Sequence, residues 1–352
     1  MNKLAVIVAG GTGGHINAAI ALGEVARAKN YQVQYISGTR HLDYKLFQGK
    51  NCMHLNSSAL RYKNPFKILK SIASNFYYFF KIFYFFLINK PAFVIGCGGY
   101  VCGPVLMAAY LQGIKVYIVE QNAVMGLTNK ILGYFSKKIF VHFKKTNGVS
   151  KSQLKKVVVS GNPTRSVIYK SDKTKNTKFN ILVFGGSLGA KQINDTIKEL
   201  VGLSLGFPVK IQHQTGLDQR EELKLANDIE YYSYEYLDNI QNFYNEADLI
   251  ICRAGASTVS ELRVLERACV FIPYPQATDN HQYYNAIYFK EEASFPVYIL
   301  DQKASAQENV KKLREIITDC HKHGIKFDNR NLNAKSESAN FIIEQIFQDL
   351  AL

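Results

Sequence analysis

A chain of 352 residues, 47% hydrophobic and 20% charged, is neither disordered nor fibrous in composition. At about 100–200 residues per domain, its length predicts two domains with a core each. Its net charge of +15 is unevenly placed: residues 1–171 hold 23 basic and 3 acidic residues, and residues 172–352 hold 20 basic and 25 acidic. Such a basic first half fits an anionic partner, whether nucleic acid, acidic lipid or a phosphorylated substrate.

In chain order, apolar runs at 4–10 (LAVIVAG), 33–37 (VQYIS), 92–96 (AFVIG), 116–120 (VYIVE) and 138–143 (KIFVHF) read as strands. Continuous runs of this kind suit parallel strands buried on both faces. Residues 66–88 (FKILKSIASNFYYFFKIFYFFLI) read as an aromatic, amphipathic helix. Lys63, Lys67, Lys70, Ser74 and Lys81 lie near one side of it, and Leu69, Ile72, Phe76, Phe80, Phe83 and Leu87 populate the others. Its longest apolar run, from Phe76 to Ile88, is 13 residues and contains Lys81. A membrane span needs about 20, so the helix is expected to lie at a lipid interface, with Lys67, Lys70, Phe76, Phe80 and Phe83 as its contacts. Residues 160–178, with a proline, turn formers and a lysine-rich tract, read as a linker. A second strand series follows at 180–186, 209–213, 247–253, 269–274 and 296–300, and then an amphipathic helix at roughly 335–351.

This alternation predicts an α/β fold of two Rossmann-like domains with parallel sheets facing across a cleft. The expected boundaries are 1–163, 164–335 and a terminal helix, 336–352, packing back toward the first domain. The six cysteines (Cys52, Cys97, Cys102, Cys252, Cys269 and Cys320) include no CxxC pair, which argues against a zinc site or redox dithiol. The opening MNKLAVIVAGG lacks the cleavage site of a signal peptide, so a reducing cytoplasmic compartment is expected.

Glycine-rich turns follow three strands: VAGGTGGHINAA, GCGGYVCGP (96–104) and VFGGSLGA. Glycine there lets the backbone approach a ligand, and the N–H groups and dipole of the following helix favour a phosphate. Neither GGTGGH nor GGSLGA fits the dinucleotide fingerprint GxGxxG, and no GxxxxGK[ST] loop is present, so a nicotinamide enzyme or P-loop NTPase is disfavoured.

The ordered set GGTGGH, GGYVCGP, EQN (120–122), GLTNK (126–130), GNPTR (161–165), GGSLGA, CRAGASTVSE (252–261) and HQYYNA (281–286) resembles the MurG family over nearly the whole chain. That family is the bacterial transferase moving GlcNAc from UDP-GlcNAc to undecaprenyl-pyrophosphoryl-MurNAc-pentapeptide (lipid I). The resemblance implies a GT-B glycosyltransferase fold, inverting transfer to the 4-hydroxyl of MurNAc, and lipid II as product. It departs at Cys102, where a serine is usual, and at Asn17–Ala18, which replace the usual x-Pro. It implies UDP-GlcNAc and lipid I as substrates and a peripheral place on the cytoplasmic face of the plasma membrane. It also leaves room for other cell-wall synthesis proteins as partners. A UDP-GlcNAc 2-epimerase-like isomerase on the same layout is the alternative. A nucleic-acid partner is disfavoured, because the aromatics form one dense run instead of spaced stacking positions.

The resemblance places donor binding on Thr12, Gly13, Gly14, Asn122, Arg165, Ser187, Leu237, Ala256, Ser257, Thr258, Val259, Ser260, Glu261 and Gln282. Chemistry supports several of these and leaves alternatives. Ser187 serves as a phosphate donor or as a helix N-cap. Glu261 accepts ribose hydroxyls or complements a helix dipole. Asn122 contacts the sugar or forms a turn, and Arg165 contacts the nucleotide or is a linker charge. The Gln282 amide both donates and accepts without charge, whereas Leu237 is implied only through its backbone. His15 is the candidate general base, since histidine exchanges protons near neutrality; phosphate positioning is its other role. Glu120 is a competing base or a partner for nearby cations. No DxD-like or His/Asp cluster is legible, so neither a metal nor a cofactor is expected.

Overall fold

The computed structural model describes residues 3–57, 65–163, 177–186, 189–217, 222–324 and 338–351, without the side chains of residues 65 and 67. By its contacts the chain divides into two compact units, residues 1–166 with 335–352, and residues 167–334.

The first unit runs β1 (Leu4–Val8), α1 (Gly13–Ala28), β2 (Gln32–Ser37), α2 (His41–Leu46), β3 (Cys52–His54), α3 (Pro65–Asn89), β4 (Phe93–Gly96), α4 (Cys102–Leu111), β5 (Lys115–Glu120), α5 (Leu127–Leu132), β6 (Lys138–Val141) and β7 (Val157–Val159). The second runs β8 (Phe179–Phe184), α6 (Lys191–Val201), β9 (Val209–Gln214), β10 (Ile229–Tyr234), α7 (Ile240–Glu246), β11 (Leu249–Cys252), α8 (Ala256–Leu265), β12 (Cys269–Phe271), α9 (His281–Glu292), β13 (Val297–Ile299) and α10 (Ala306–His323). The chain then returns to the first unit as α11 (Ser338–Ala351).

Both sheets are parallel, in the orders β3-β2-β1-β4-β5-β6-β7 and β10-β9-β8-β11-β12-β13. Their strand order reverses at β1/β4 and at β8/β11, and ligands of doubly wound sheets bind beyond the carboxyl ends of strands at such points. Side chains of β1 alternate between two cores, as the pleat requires. Ala5 and Ile7 join α1 and α11 on one face, and Val6 and Val8 join α3 and α4 on the other. Both faces are therefore covered, which explains the unbroken apolar run.

Three strands absent from the sequence reading are β3, β7 and β10, and all three lie at sheet edges. β3 and β7 span three residues each, too short for a run or an alternation to stand out, and β10 reads IEYYSY with only Ile229 buried. Most of the expected linker, 164–176, lies outside the described residues.

Helix α11 lies on α1, burying Ile342, Ile343 and Ile346. Phe347 stacks on Tyr31, with ring centroids 4.8 Å apart. Its last turn is fastened by Lys138, whose Nζ lies 3.1 Å from Asp349 Oδ1 and also donates to Gln345 Oε1 at 3.1 Å. The Lys115 ammonium donates to the Asp349 carbonyl.

Helix α3 lies where the sequence places it, at 66–88, but it is apolar over more than the 13-residue run counted there. Its segment Ile68–Asn89 is 22 residues, long and apolar enough by length and composition to cross a bilayer. It nevertheless packs along α4 and inserts Ile82 and Phe86 into the core of the first unit. Phe66, Leu69, Ile72, Phe76, Tyr77, Phe80, Tyr84, Leu87 and Ile88 remain exposed.

Candidate functional site

In the first unit three turns meet at the carboxyl ends of β1, β4 and β5. Gly10 N–H donates to the Gly98 carbonyl at 3.1 Å, and Gln121 Nε2 donates to the Cys97 carbonyl at 2.7 Å. A Cβ on Gly99 would sit 2.5 Å from the Gly10 carbonyl oxygen, and Gly99 has φ +95°. Only glycine allows so close a backbone contact in that conformation. Thr12 caps α1: its Oγ1 accepts from His15 N–H at 3.4 Å. Gly13 and Gly14 form the first turn of α1, which contains no acidic residue. This sixteen-residue helix thus opens with no carboxylate against the positive end of its dipole, an arrangement that favours an anion. The His15 ring lies on Gly98, where a Cβ would approach Nε2 to 2.8 Å, and His15 Nδ1 lies 3.1 Å from the Gly10 carbonyl oxygen.

Among the described residues Glu120 has amide partners instead of the cation the sequence suggested. Its Oε1 accepts from Asn122 N–H at 3.0 Å and Nδ2 at 3.4 Å, and its Oε2 accepts from Gly126 N–H and Asn129 Nδ2, both at 2.9 Å. Buried, with both oxygens occupied, it organises the 120–129 loop and orients Asn122, which leaves it poorly placed to act as a base.

In the second unit residues 256–261 form the opening turn and a half of α8, with Gly255 as N-cap. Ala256, Ser257 and Thr258 are partly exposed at this helix start. Val259 is buried, and the Ser260 hydroxyl donates back to the Ala256 carbonyl at 2.8 Å, so both side chains face the protein. Glu261 Oε2 accepts a 2.7 Å hydrogen bond from the Tyr244 hydroxyl. Burial holds the Glu261 carboxyl above the ordinary range, and the Tyr244 bond opposes that rise. Gln282 Oε1 accepts from Tyr274 N–H at 2.9 Å. Leu237 is buried, leaving its backbone as the means of contact. Arg165 and Ser187 lie outside the described residues.

Sequence reasoning missed three residues that brace these segments. Tyr244 orients Glu261 from α7. The buried Arg253 donates through Nη1 to Gln192 Oε1 (3.0 Å), the Ile272 carbonyl (2.8 Å) and the Pro273 carbonyl (2.9 Å), tying the start of α6 to the end of β12. Burial lowers its pKa from the usual guanidinium value. In the first unit Asp43, fully buried, accepts from Gly11 N–H (3.0 Å), Ser37 Oγ (3.2 Å) and Arg40 N–H (2.9 Å). The available signals were the arginine inside CRAG and an isolated acid in a basic half.

Residues 5–141 match the glycosyltransferase family 28 N-terminal domain and residues 180–346 the C-terminal domain. A Francisella tularensis UDP-N-acetylglucosamine–N-acetylmuramyl-(pentapeptide) pyrophosphoryl-undecaprenol N-acetylglucosamine transferase is 38% identical over 301 residues, 81% of each chain. The Geotalea uraniireducens protein of that name is 31% identical and covers 98% of both chains. Among solved structures, Acinetobacter baumannii MurG matches with TM-score 0.77 at 30% identity over 98% of this chain and 99% of its own. A UDP-GlcNAc 2-epimerase from Neisseria meningitidis, solved with UDP-GlcNAc, matches at TM-score 0.63 and 14% identity, covering 98% of this chain and 100% of its own, and so shares the fold alone. With both family 28 domains and relatives above 30% identity along nearly its full length, the chain has the GT-B fold and belongs to the MurG family of glycosyltransferases.

Proposed function

We propose that the protein transfers GlcNAc from UDP-GlcNAc to the MurNAc 4-hydroxyl of lipid I with inversion, giving lipid II for peptidoglycan synthesis. The match to a transferase of that name over 98% of both chains carries this reading. The second unit binds the donor. The amides at the start of α8, with Ser257 and Thr258, hold phosphate oxygens; Ser187 and Arg165 add to that set. Glu261 accepts the ribose hydroxyls, Leu237 meets the uracil through its backbone, and Gln282 and Asn122 contact the sugar. The first unit binds the acceptor and the membrane.

His15 takes the proton of the 4-hydroxyl as that oxygen attacks the anomeric carbon. The bond from the anomeric carbon to the β-phosphate oxygen breaks, and UDP departs with the electron pair. Helix N-termini, such as that of α1 at Thr12–Gly14, stabilise negative charge of this kind without proton transfer.

The exposed stripe on α3, including Phe76 and Phe80, seats the protein on an anionic membrane, as a peripheral enzyme on its cytoplasmic face. Lys70 is exposed beside that stripe, and Phe83 is half-buried against the core; the side chain of Lys67 lies outside the described residues. The excess of basic residues in the first half supports this reading.

The test is transfer of radiolabelled GlcNAc to a soluble lipid I analogue, with a control lacking acceptor. Product that depends on the acceptor is expected. UDP release or epimer formed without acceptor would instead favour the isomerase. Comparing His15→Ala with Glu261→Ala separates roles: the first should lower kcat, and the second should raise the donor KM. If both only raise the donor KM, His15 is a binding residue and the base assignment fails.

A further inference from the structure

The peptide unit joining Gly10 and Gly11 has both of its polar ends engaged. Its N–H, from Gly11, donates to Asp43 Oδ1 at 3.0 Å. Its carbonyl, from Gly10, lies 3.1 Å from His15 Nδ1. A carbonyl oxygen only accepts, so Nδ1 carries the proton and Nε2 is the acceptor nitrogen of the ring. That tautomer is the one that presents a base at Nε2.

We propose that Asp43 is a positioning residue for the transfer, fixing the tautomer and orientation of His15 through the Gly10–Gly11 peptide; the proposal rests on His15 being the base. The carboxylate suits the task because three donors converge on it: Gly11 N–H and Ser37 Oγ on one oxygen, Arg40 N–H on the other. An acceptor-only group satisfies all three, and none competes for the Gly10 carbonyl. The turn is built closely around it: Cβ atoms on Gly38 and Gly10 would stand 3.0 and 3.4 Å from its oxygens. Gly11 holds φ +87°, so the peptide keeps an orientation that side-chain-bearing residues rarely allow. With the peptide plane held at its N–H, the carbonyl on its opposite edge is aimed at the imidazole. Hydrogen bonds in such a chain polarise one another, so the buried carboxylate also makes the carbonyl a better acceptor. The Arg40 guanidinium, donating to the Gly11 carbonyl at 3.2 Å, steadies the following peptide.

Asp43→Asn preserves shape but turns an NH2 group toward donors that need an acceptor. The expected result is a kcat about 10- to 100-fold lower, the scale of a misplaced catalytic group. The KM for UDP-GlcNAc should stay near the wild-type value. In a His15→Ala background the same substitution should change kcat no further; an equal loss with and without His15 would mean a merely structural role and would overturn the proposal. Histidine-selective 15N NMR supplies a readout independent of activity. The wild type should show His15 protonated at Nδ1, and Asp43→Asn a mixture of tautomers. Should Asp43→Asn fail to fold, the wild-type spectrum still decides, since an Nε2–H tautomer at His15 would refute the relay. A chain that moved no GlcNAc would overturn the proposed function, while the spectrum would still report whether Asp43 governs His15.

Discussion

Replacing Tyr244 with phenylalanine removes one hydroxyl and leaves the buried ring in place. That hydroxyl donates to Glu261 Oε2 at 2.7 Å, and the Tyr244 side chain is fully buried. A hydrogen bond to a charged group contributes about 1.5–3 kcal/mol. At about 2–4 °C per kcal/mol for a domain of about 150–250 residues, the melting temperature should fall by about 3–12 °C. The loss should depend on pH, and the direction follows from Glu261. Burial raises its pKa, and the Tyr244 bond pulls it back down. Without that bond the folded-state pKa climbs further. A carboxyl raised in the folded state contributes stability that is complete below its unfolded value of about 4.3 and is lost as pH rises through the folded value. The deficit of Tyr244→Phe should therefore be greatest near neutrality. It should shrink toward the worth of a neutral hydrogen bond, about 1 kcal/mol, in acid. Differential scanning calorimetry of both proteins near neutral pH and near the ordinary carboxylate pKa measures this. A deficit equal at the two pH values, or no deficit, would refute the coupling of Tyr244 to an ionised Glu261.

Two further predictions concern the first unit. Gly98→Ala places a Cβ 2.8 Å from His15 Nε2 at a residue with φ +107°; the displaced imidazole should lower kcat by about 10²-fold with little change in donor KM, and an unaltered kcat would show that the ring position is immaterial. Asp349→Ala leaves the Lys138 ammonium without its carboxylate, where the two side chains are 21% and 8% exposed. Because Lys138 keeps its bonds to Gln345, the cost should lie at the lower end of the range for breaking a buried pair, about 3 kcal/mol. The urea midpoint measures it; a loss below about 1 kcal/mol, the worth of a surface pair, would show that the Lys138–Asp349 pair does little to hold α11.

Glu120 illustrates how an environment reassigns a residue. In the sequence it stands alone among cations and suggests a base or an ion pair. In the fold four amide donors fill its oxygens, so its chemistry is spent on the loop that carries Asn122.

Features governed by local backbone preferences were legible in the sequence alone. The buried strands β1, β4, β5, β8 and β11 announce themselves as unbroken apolar runs, because a parallel sheet covered on both faces admits no polar alternation. The glycine turns after β1, β4 and β8, and the helix starts at Thr12 and Gly255, follow from φ requirements and capping that neighbouring residues alone impose. The strands β3, β7 and β10 were not legible: the first two span three residues each, and the third mixes polar and aromatic residues on half-solvated faces. Only the tertiary structure decided which face of α3 packs and which stays exposed, since an aromatic-rich helix presents apolar residues on nearly every side. Only it supplied the braces of the site: Asp43 reaches Gly11 across 32 positions, Tyr244 reaches Glu261 across 17 and Arg253 reaches Gln192 across 61. Such partners satisfy buried polar groups wherever the fold brings an acceptor to a donor, and no spacing along the chain encodes that meeting.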